Sequence, residues 1–206
     1  MDLFHPTNLQ NLLAYDGCVS NHGFLFNKER SKNYFDALVE QVPWKADELI
    51  MFGKRVVTKR KIGWYGDLPF KYSYGNTVKK AAIWTPTLFE IKKSVESKTG
   101  VNFNSCLLNL YHDGNEGMSW HQDNEKELGE NPIIASLSLG ASRKFSFKHI
   151  KTKARLDLIL ESGSLILMKD ETQKYWQHSL PKSKKIKQPR INLTFRNIYT
   201  DHRFLE

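Results

Sequence analysis

Apolar positions recur first at helical spacing and later at strand spacing. Between residues 31 and 43, Tyr34, Phe35, Leu38, Val39 and Val42 fall three and four apart. That is one face of an amphipathic helix, with Ser31 as its N-cap and Pro43 as its stop. A second helical run opens at Thr85-Pro86-Thr87, where Thr87 and Glu90 have the spacing of a capping box. It carries Leu88, Ile91 and Val95 inward and stops at Gly100, a residue suited to the left-handed C-terminal turn. From residue 105 the period becomes two. Segments 105–111, 133–139, 144–148, 155–160, 165–168 and 190–198 read as short strands. Gly140-Ala141-Ser142-Arg143, Glu161-Ser162-Gly163 and Pro181-Lys182-Ser183 break them at short intervals. Many short strands with regular turns predict a β-sandwich or jelly roll. The fold class is therefore α+β, with the two early helices covering one outer face.

The totals narrow the class. A chain of 206 residues supports one substantial core, and 40% hydrophobic content excludes a disordered tail protein. No apolar run approaches the ~20 residues that span a bilayer. The opening MDLFHPTNLQ lacks a basic segment followed by a long apolar one, so the expectation is a protein that is not secreted. Cys18 and Cys106 are too few for a disulfide framework, which suits a reducing, intracellular compartment. That compartment is the cytoplasm in a bacterium and the nucleus in a eukaryote. A net charge of +9 favours polyanionic partners, because neutralised phosphates release condensed counterions.

The candidate chemistry begins in Ser119-Trp120-His121-Gln122-Asp123-Asn124-Glu125. On a strand, His121 and Asp123 would share one face, with Trp120 and Gln122 opposite. The plainer reading is a hydrophilic strand edge. A metal site needs a third ligand, and His178 is the best of the remaining histidines because its segment follows the apolar run 165–168. Two histidines and one carboxylate occupy one face of a metal and leave the others open, which suits Fe(II), with zinc as the competitor. In the final strand Arg190, Asn192, Thr194 and Arg196 alternate with Ile191, Leu193 and Phe195. A polar face in water would explain this row, but two guanidinium forks on it can also hold a dicarboxylate at both ends. Asn109 and Tyr111 form a similar pair just before the turn that leads to His121.

Taken together, N-L-Y (109–111), H-Q-D (121–123), I-A-S-L-S-L-G-A (134–141), H-S-L-P (178–181) and P-R-I-N-L-T-F-R (189–196) resemble the AlkB family of Fe(II)/2-oxoglutarate dioxygenases. The resemblance covers roughly residues 45 to 198 and is nearest to the duplex-DNA-repairing homologues. It implies a double-stranded β-helix (jelly roll) core with N-terminal helices on one outer face and a nucleotide-recognition hairpin as a lid. The whole chain, 1–206, would be one dioxygenase domain: an N-terminal extension and helix (1–45), the lid (46–80), and a helix plus catalytic core (81–206). By position, His121, Asp123 and His178 would hold Fe(II). Asn109, Tyr111, Arg190, Thr194 and Arg196 would bind 2-oxoglutarate, with Asn192 in support. Arg190 would pair with the distal carboxylate, and Arg196 would lie near the iron-chelating end.

The resemblance also implies a substrate side. Leu49 to Arg55, followed by Lys59-Arg60-Lys61, forms an apolar hairpin with cations behind it; the plain reading is an amphipathic hairpin with a solvated basic face. In the family it is a finger, with Phe52 entering the base stack and Gly53 and Lys54 beside it. Tyr72, Ser73 and Tyr74 would line the base pocket, Tyr74 stacking on the flipped base opposite His121. Asn124 and Glu125 would offer polar contacts to the base edge. Lys182, Lys184, Lys185 and Lys187, otherwise an ordinary solvated loop, would clamp the backbone. The implied activity is oxidative demethylation of N-alkylated bases, of the 1-methyladenine and 3-methylcytosine type, in DNA. It consumes O2 and 2-oxoglutarate and releases formaldehyde, succinate and CO2. The expected partner is duplex DNA with a flipped alkylated base, met by a monomer with no membrane. The alternatives are the same chemistry on RNA or single-stranded DNA, or a nucleic-acid-binding module with an inactive metal site.

Overall fold

The computed structural model describes residues 9–51, 54–74 and 77–199, with the backbone alone at 49–51, 54–56, 72–74 and 77–79. In chain order the elements are β1 (Cys18–Phe24), α1 (Lys28–Gln41), β2 (Lys45–Met51), β3 (Lys54–Gly66), β4 (Lys71–Tyr74), β5 (Thr77–Lys80), β6 (Ala82–Ile83) and α2 (Pro86–Thr99). They continue with β7 (Ser105–Tyr111), β8 (Met118–His121), β9 (Ile134–Gly140), β10 (Arg143–His149), β11 (Arg155–Leu160), β12 (Ser164–Lys169), α3 (Thr172–Tyr175), β13 (Trp176–Leu180) and β14 (Arg190–Arg196). The major sheet runs β1-β12-β9-β14-β7-β3-β2, with β6 pairing parallel to β3. A smaller antiparallel sheet runs β11-β10-β13-β8, and β4 and β5 form a separate hairpin. Two facing antiparallel sheets with crossed connections make the jelly roll that the turn spacing predicts.

The period-two pattern builds this sandwich. Side chains alternate across a strand, so each central strand must present two different faces. On one face of the major sheet, Cys106, Leu108, Leu110, Ala135, Leu137, Leu139, Ile191, Leu193 and Phe195 pack beneath Leu38 of α1 and Leu88, Ile91 and Val95 of α2. The opposite face carries Asn109, Tyr111, Ser136, Ser138, Arg190, Asn192, Thr194 and Arg196, and looks toward the smaller sheet. A second apolar cluster, including Tyr111, Ile134, Ile166, Met168, Phe145, Phe147, Trp176 and Leu180, fills one end of the space between the sheets.

Both helix starts differ from expectation, for one reason. The first helix is capped by Asn27, whose side chain accepts from the Arg30 N–H at 2.8 Å, so it opens before Ser31. Ser31 is instead buried inside the helix. Its Val39 is exposed, while Tyr34, Leu38 and Val42 face the core. In α2 the cap is Thr85, accepting from the Leu88 N–H at 3.2 Å, with Pro86 at the first helical position. Thr87 and Glu90 therefore make no capping box. Glu90 accepts instead from Tyr34 of α1 at 2.7 Å and pairs with Arg30. An upstream residue with a side-chain acceptor claims the end of each helix first.

Leu193 is fully buried on the helix-facing side of β14. Leu193→Ala is expected to lower unfolding stability by about 3 kcal/mol, from lost apolar transfer plus a cavity. Urea denaturation would show it as a lower midpoint with an unchanged slope.

Candidate active site

The cavity between the sheets has a volume of about 450 Å³. At its mouth β8 and β13 pair, placing His121 opposite His178, and their rings lie 4.2 Å apart between centroids. Asp123 follows two residues after His121, and the nearest ligand atoms of the three all lie within 4.8 Å of one another. His121 Nδ1 sits 2.8 Å from the Ser119 carbonyl. A carbonyl only accepts, so Nδ1 carries a proton, and Nε2 is the ring nitrogen turned toward Asp123, 3.8 Å from its Oδ1. Burial, eased by the Asp123 charge and reinforced by His121 and Arg196, pulls His178 down to about 4. It is neutral at physiological pH and its ring nitrogen is free to bind a metal. Burial would raise the Asp123 carboxyl, but Arg196, His178 and His121 together hold it below the usual carboxylate range. Two imidazoles and one ionised carboxylate converge, the donor set of an open Fe(II) site.

The strand of the sequence motif stops early. β8 ends at His121, and Asp123 is held by a contact outside the ladder. Its backbone N–H donates to Gln173 Oε1 at 3.0 Å, while Gln122 Nε2 donates to the Gln173 carbonyl at 2.6 Å. Gln173 belongs to the short α3, and its amide also touches Met168 of the cavity lining. This support carries no local sequence signal.

The floor of the cavity is the polar face of β7, β9 and β14. Asn109, Tyr111, Arg190, Asn192, Thr194 and Arg196 all line it, together with Ser136. Ser136 and Ser138 of β9 alternate with Ala135, Leu137 and Leu139, which puts both hydroxyls on the polar face. Asn192 donates to Ser136 Oγ at 2.8 Å and accepts from Thr194 at 3.2 Å. Arg190 is buried, donates to Ser138 Oγ at 2.8 Å, and pairs with no carboxylate among the described residues. Burial lowers its guanidinium to about 10, yet it stays charged at neutral pH. Arg143 and Arg190 both lie against the Tyr111 ring, at 5.8 and 5.7 Å from its centroid. Arg143 instead donates to the carbonyls of Asp113, Glu116 and Pro181. An uncompensated buried cation costs several kcal/mol, so an anion bound beside Arg190 would be favoured. Arg196 lies at the metal end, 3.7 Å from Glu125. Burial, reinforced by Asp123 and opposed by Arg196, raises the Glu125 carboxyl.

The substrate side divides. Glu125 lines the cavity, whereas Asn124 is exposed and does not. Phe52 and Gly53 lie outside the described residues, and of Lys54, Tyr72, Ser73 and Tyr74 only the strand backbone is described, in β3 and β4. Lys59-Arg60-Lys61 is not a uniform basic face: Arg60 is buried, bound to Asp47 and Asn109. The strand turns it inward while Lys59 and Lys61 stay exposed. Lys182, Lys184, Lys185 and Lys187 are exposed on a loop stitched to the turn before β8. The Ser183 N–H donates to the Gly114 carbonyl at 2.7 Å, and the Gly114 N–H to the Ile186 carbonyl at 2.9 Å. A side chain at Gly114 would meet the Ser183 carbonyl at 2.0 Å, so the turn requires glycine.

A jelly roll whose inner floor offers two arginines beneath a His-Asp-His cluster defines a class, and residues 17–196 match the profile of the 2OG-Fe(II) oxygenase superfamily. Oxygenases of this class use Fe(II), 2-oxoglutarate and O2, and the donor set above fits the metal. Within that class the chain belongs to the AlkB family. It is 39% identical over 190 residues to the bovine "Alpha-ketoglutarate-dependent dioxygenase alkB homolog 3", covering 88% of this chain and 66% of that protein. The human homolog 3 is 35% identical over 207 residues, covering 96% of this chain and 70% of its own length. The human "DNA oxidative demethylase ALKBH2" is 35% identical over 194 residues, covering 89% and 74%. The chain thus spans about two thirds of the homolog 3 relatives. The structure of OsALKBH1 shares the fold, with a TM-score of 0.60 at 17% identity over 92% of this chain and 99% of that one.

Gln173→Leu keeps the side chain's bulk but removes the acceptor for the Asp123 N–H. It is expected to weaken Mn(II) binding about tenfold or more, as loss of a partner behind a metal ligand does. Titration of the metal-free protein would check this, with thermal unfolding as the control.

Proposed function

We propose that the protein removes N-linked methyl groups from nucleobases, acting on DNA and restoring the base directly. One observation carries the reading: a His-Asp-His cluster and a buried arginine without a carboxylate partner share one cavity, in a chain of net charge +9. The kinship with "DNA oxidative demethylase ALKBH2" supports DNA as the substrate. Bound Fe(II) and 2-oxoglutarate would supply, with O2, the oxidising power that hydroxylates the methyl carbon. The N-hydroxymethyl base would then lose formaldehyde, with succinate and CO2 as the other products.

The chain's own residues set up this reaction. His121, Asp123 and His178 hold the metal on one side. Arg190, positioned by Tyr111 and Ser138, would hold one carboxylate of 2-oxoglutarate, and Arg196 would act at the end nearer the metal ligands. Leu107, Met118, Phe145 and Leu180 line the cavity and limit water near the reacting carbon. Half-buried Glu125 stands beside the metal ligands with a raised carboxyl, placed to meet the polar edge of a base. The segment Met51 to Lys54 that joins β2 to β3 in sequence, with Phe52 in it, serves as the finger that replaces a flipped base in duplex DNA. The lysine loop between β13 and β14 holds the phosphate backbone.

Formaldehyde release from duplexes containing 1-methyladenine or 3-methylcytosine is expected to require Fe(II) and 2-oxoglutarate, and to vanish in Asp123→Ala. Turnover that survives the substitution would overturn the reading. Phe52→Ala is expected to cut activity on duplexes severalfold more than on single strands; an equal loss on both, or a preference of the wild type for RNA, would move the substrate assignment. Replacing Lys184 and Lys185 with Ala is expected to reduce the salt dependence of DNA affinity, the slope of log K against log salt falling by about 1 to 2.

A further inference from the structure

The cavity wall opposite the lysine loop contains a buried charged relay that no step above uses. Arg60 of β3 donates from one guanidinium nitrogen to Asp47 of β2 and from another to Asn109 Oδ1 of β7. All three residues line the cavity. The ladder between β3 and β7 sets Ile62 against Asn109, so Arg60 reaches its partner diagonally across the same face. The β2–β3 pairing slips between Ala46 and Glu48: Asp47 alone on β2 spans Thr58, Lys59 and Arg60 on β3, so the extra residues bulge from the β3 side. Bulges re-aim a side chain out of the regular alternation, and here the carboxylate meets the guanidinium. Asp47 compensates the Arg60 charge, in contrast to Arg190, which waits for an external anion. Arg60 is thus already engaged and is not a spare cation for phosphate.

The bond to Asn109 has a further consequence. A guanidinium carries donors and no acceptor, so the Asn109 amide must turn its oxygen toward Arg60. Its NH2 group is then the side left for the cavity. We propose that Arg60 is a positioning residue for the co-substrate: anchored by Asp47, it fixes the Asn109 amide with its donors toward 2-oxoglutarate, and so links the β2–β3 hairpin to co-substrate binding. Without Arg60 the amide is free to flip and present its oxygen to a carboxylate, which repels it. This inference rests on the assignment of 2-oxoglutarate to the cavity floor.

The test is anaerobic titration of 2-oxoglutarate into the Mn(II)-loaded protein, without nucleic acid. Arg60→Met is expected to weaken 2-oxoglutarate about tenfold, the scale of a hydrogen bond that orients a charged ligand, while Mn(II) affinity changes less than twofold. Asn109→Ala should weaken binding similarly, and the Arg60→Met change should add less than twofold in that background. The Asp47→Asn, Arg60→Met double variant removes both charges together and should repeat the single-variant loss with wild-type thermal stability. Unchanged 2-oxoglutarate affinity in Arg60→Met, or the full penalty persisting beside Asn109→Ala, overturns the inference alone. A wild-type protein that binds Mn(II) but not 2-oxoglutarate overturns the co-substrate reading and this inference with it.

Discussion

Three central strands, β7, β9 and β14, must satisfy opposite demands on their two faces, and the rest of the molecule follows from that constraint. One face is sealed by α1 and α2 over leucines, isoleucine and phenylalanine with no exposed area. The other is therefore forced into the space between the sheets, although it carries arginine, asparagine, serine and threonine. Apolar burial on the helix side, about 25 cal/mol per Å² of area removed from water, offsets the cost of holding polar groups dry on the other. A strand polar on both faces would have no such anchor.

The charges in that dry space are arranged by distance along β14. At one end Arg190 is buried beside Arg143, against the Tyr111 ring and the Ser138 hydroxyl. At the other end, six residues on and on the same face, Arg196 lies among Asp123, Glu125 and the two histidines. The second arginine steadies the ionised aspartate and the neutral His178 that a divalent metal needs. The first has no carboxylate partner among the described residues, an arrangement compatible with the dicarboxylate co-substrate that this superfamily uses.

Around this floor the walls are cross-linked to one another. Arg143 ties the turn before β8 to Pro181 and the lysine loop. Gln173 ties α3 to the backbone of Asp123. Arg60 ties β2 to the floor through Asp47 and Asn109. Each is a buried polar side chain whose partners come from distant segments. The precision of the site thus depends on contacts that close only once both sheets have formed.

The strands, the two-faced β14, the His-x-Asp pair and its distant His178 were legible in the amino-acid order, because each depends on spacing within one segment or on donor chemistry. The blocks around them sufficed to place the chain in its family. Helix starts were less legible: Asn27 and Thr85 won the caps because an acceptor side chain with the right backbone angle, not the residue nearest the apolar run, satisfies the first free N–H groups. Arg60 looked like one of three surface cations, and nothing in its neighbours tells that a bulge in β3 at residues 58–60 sets it against the Asp47 carboxylate. Asn124, beside Asp123 in sequence, turned outward once the chain left β8 and strict alternation ended. Sequence alone determined which groups alternate and which chemistry they can perform. Tertiary structure decided which cation is compensated and which waits for a ligand, because charge compensation in a dry cavity is set by distances between segments far apart in the chain.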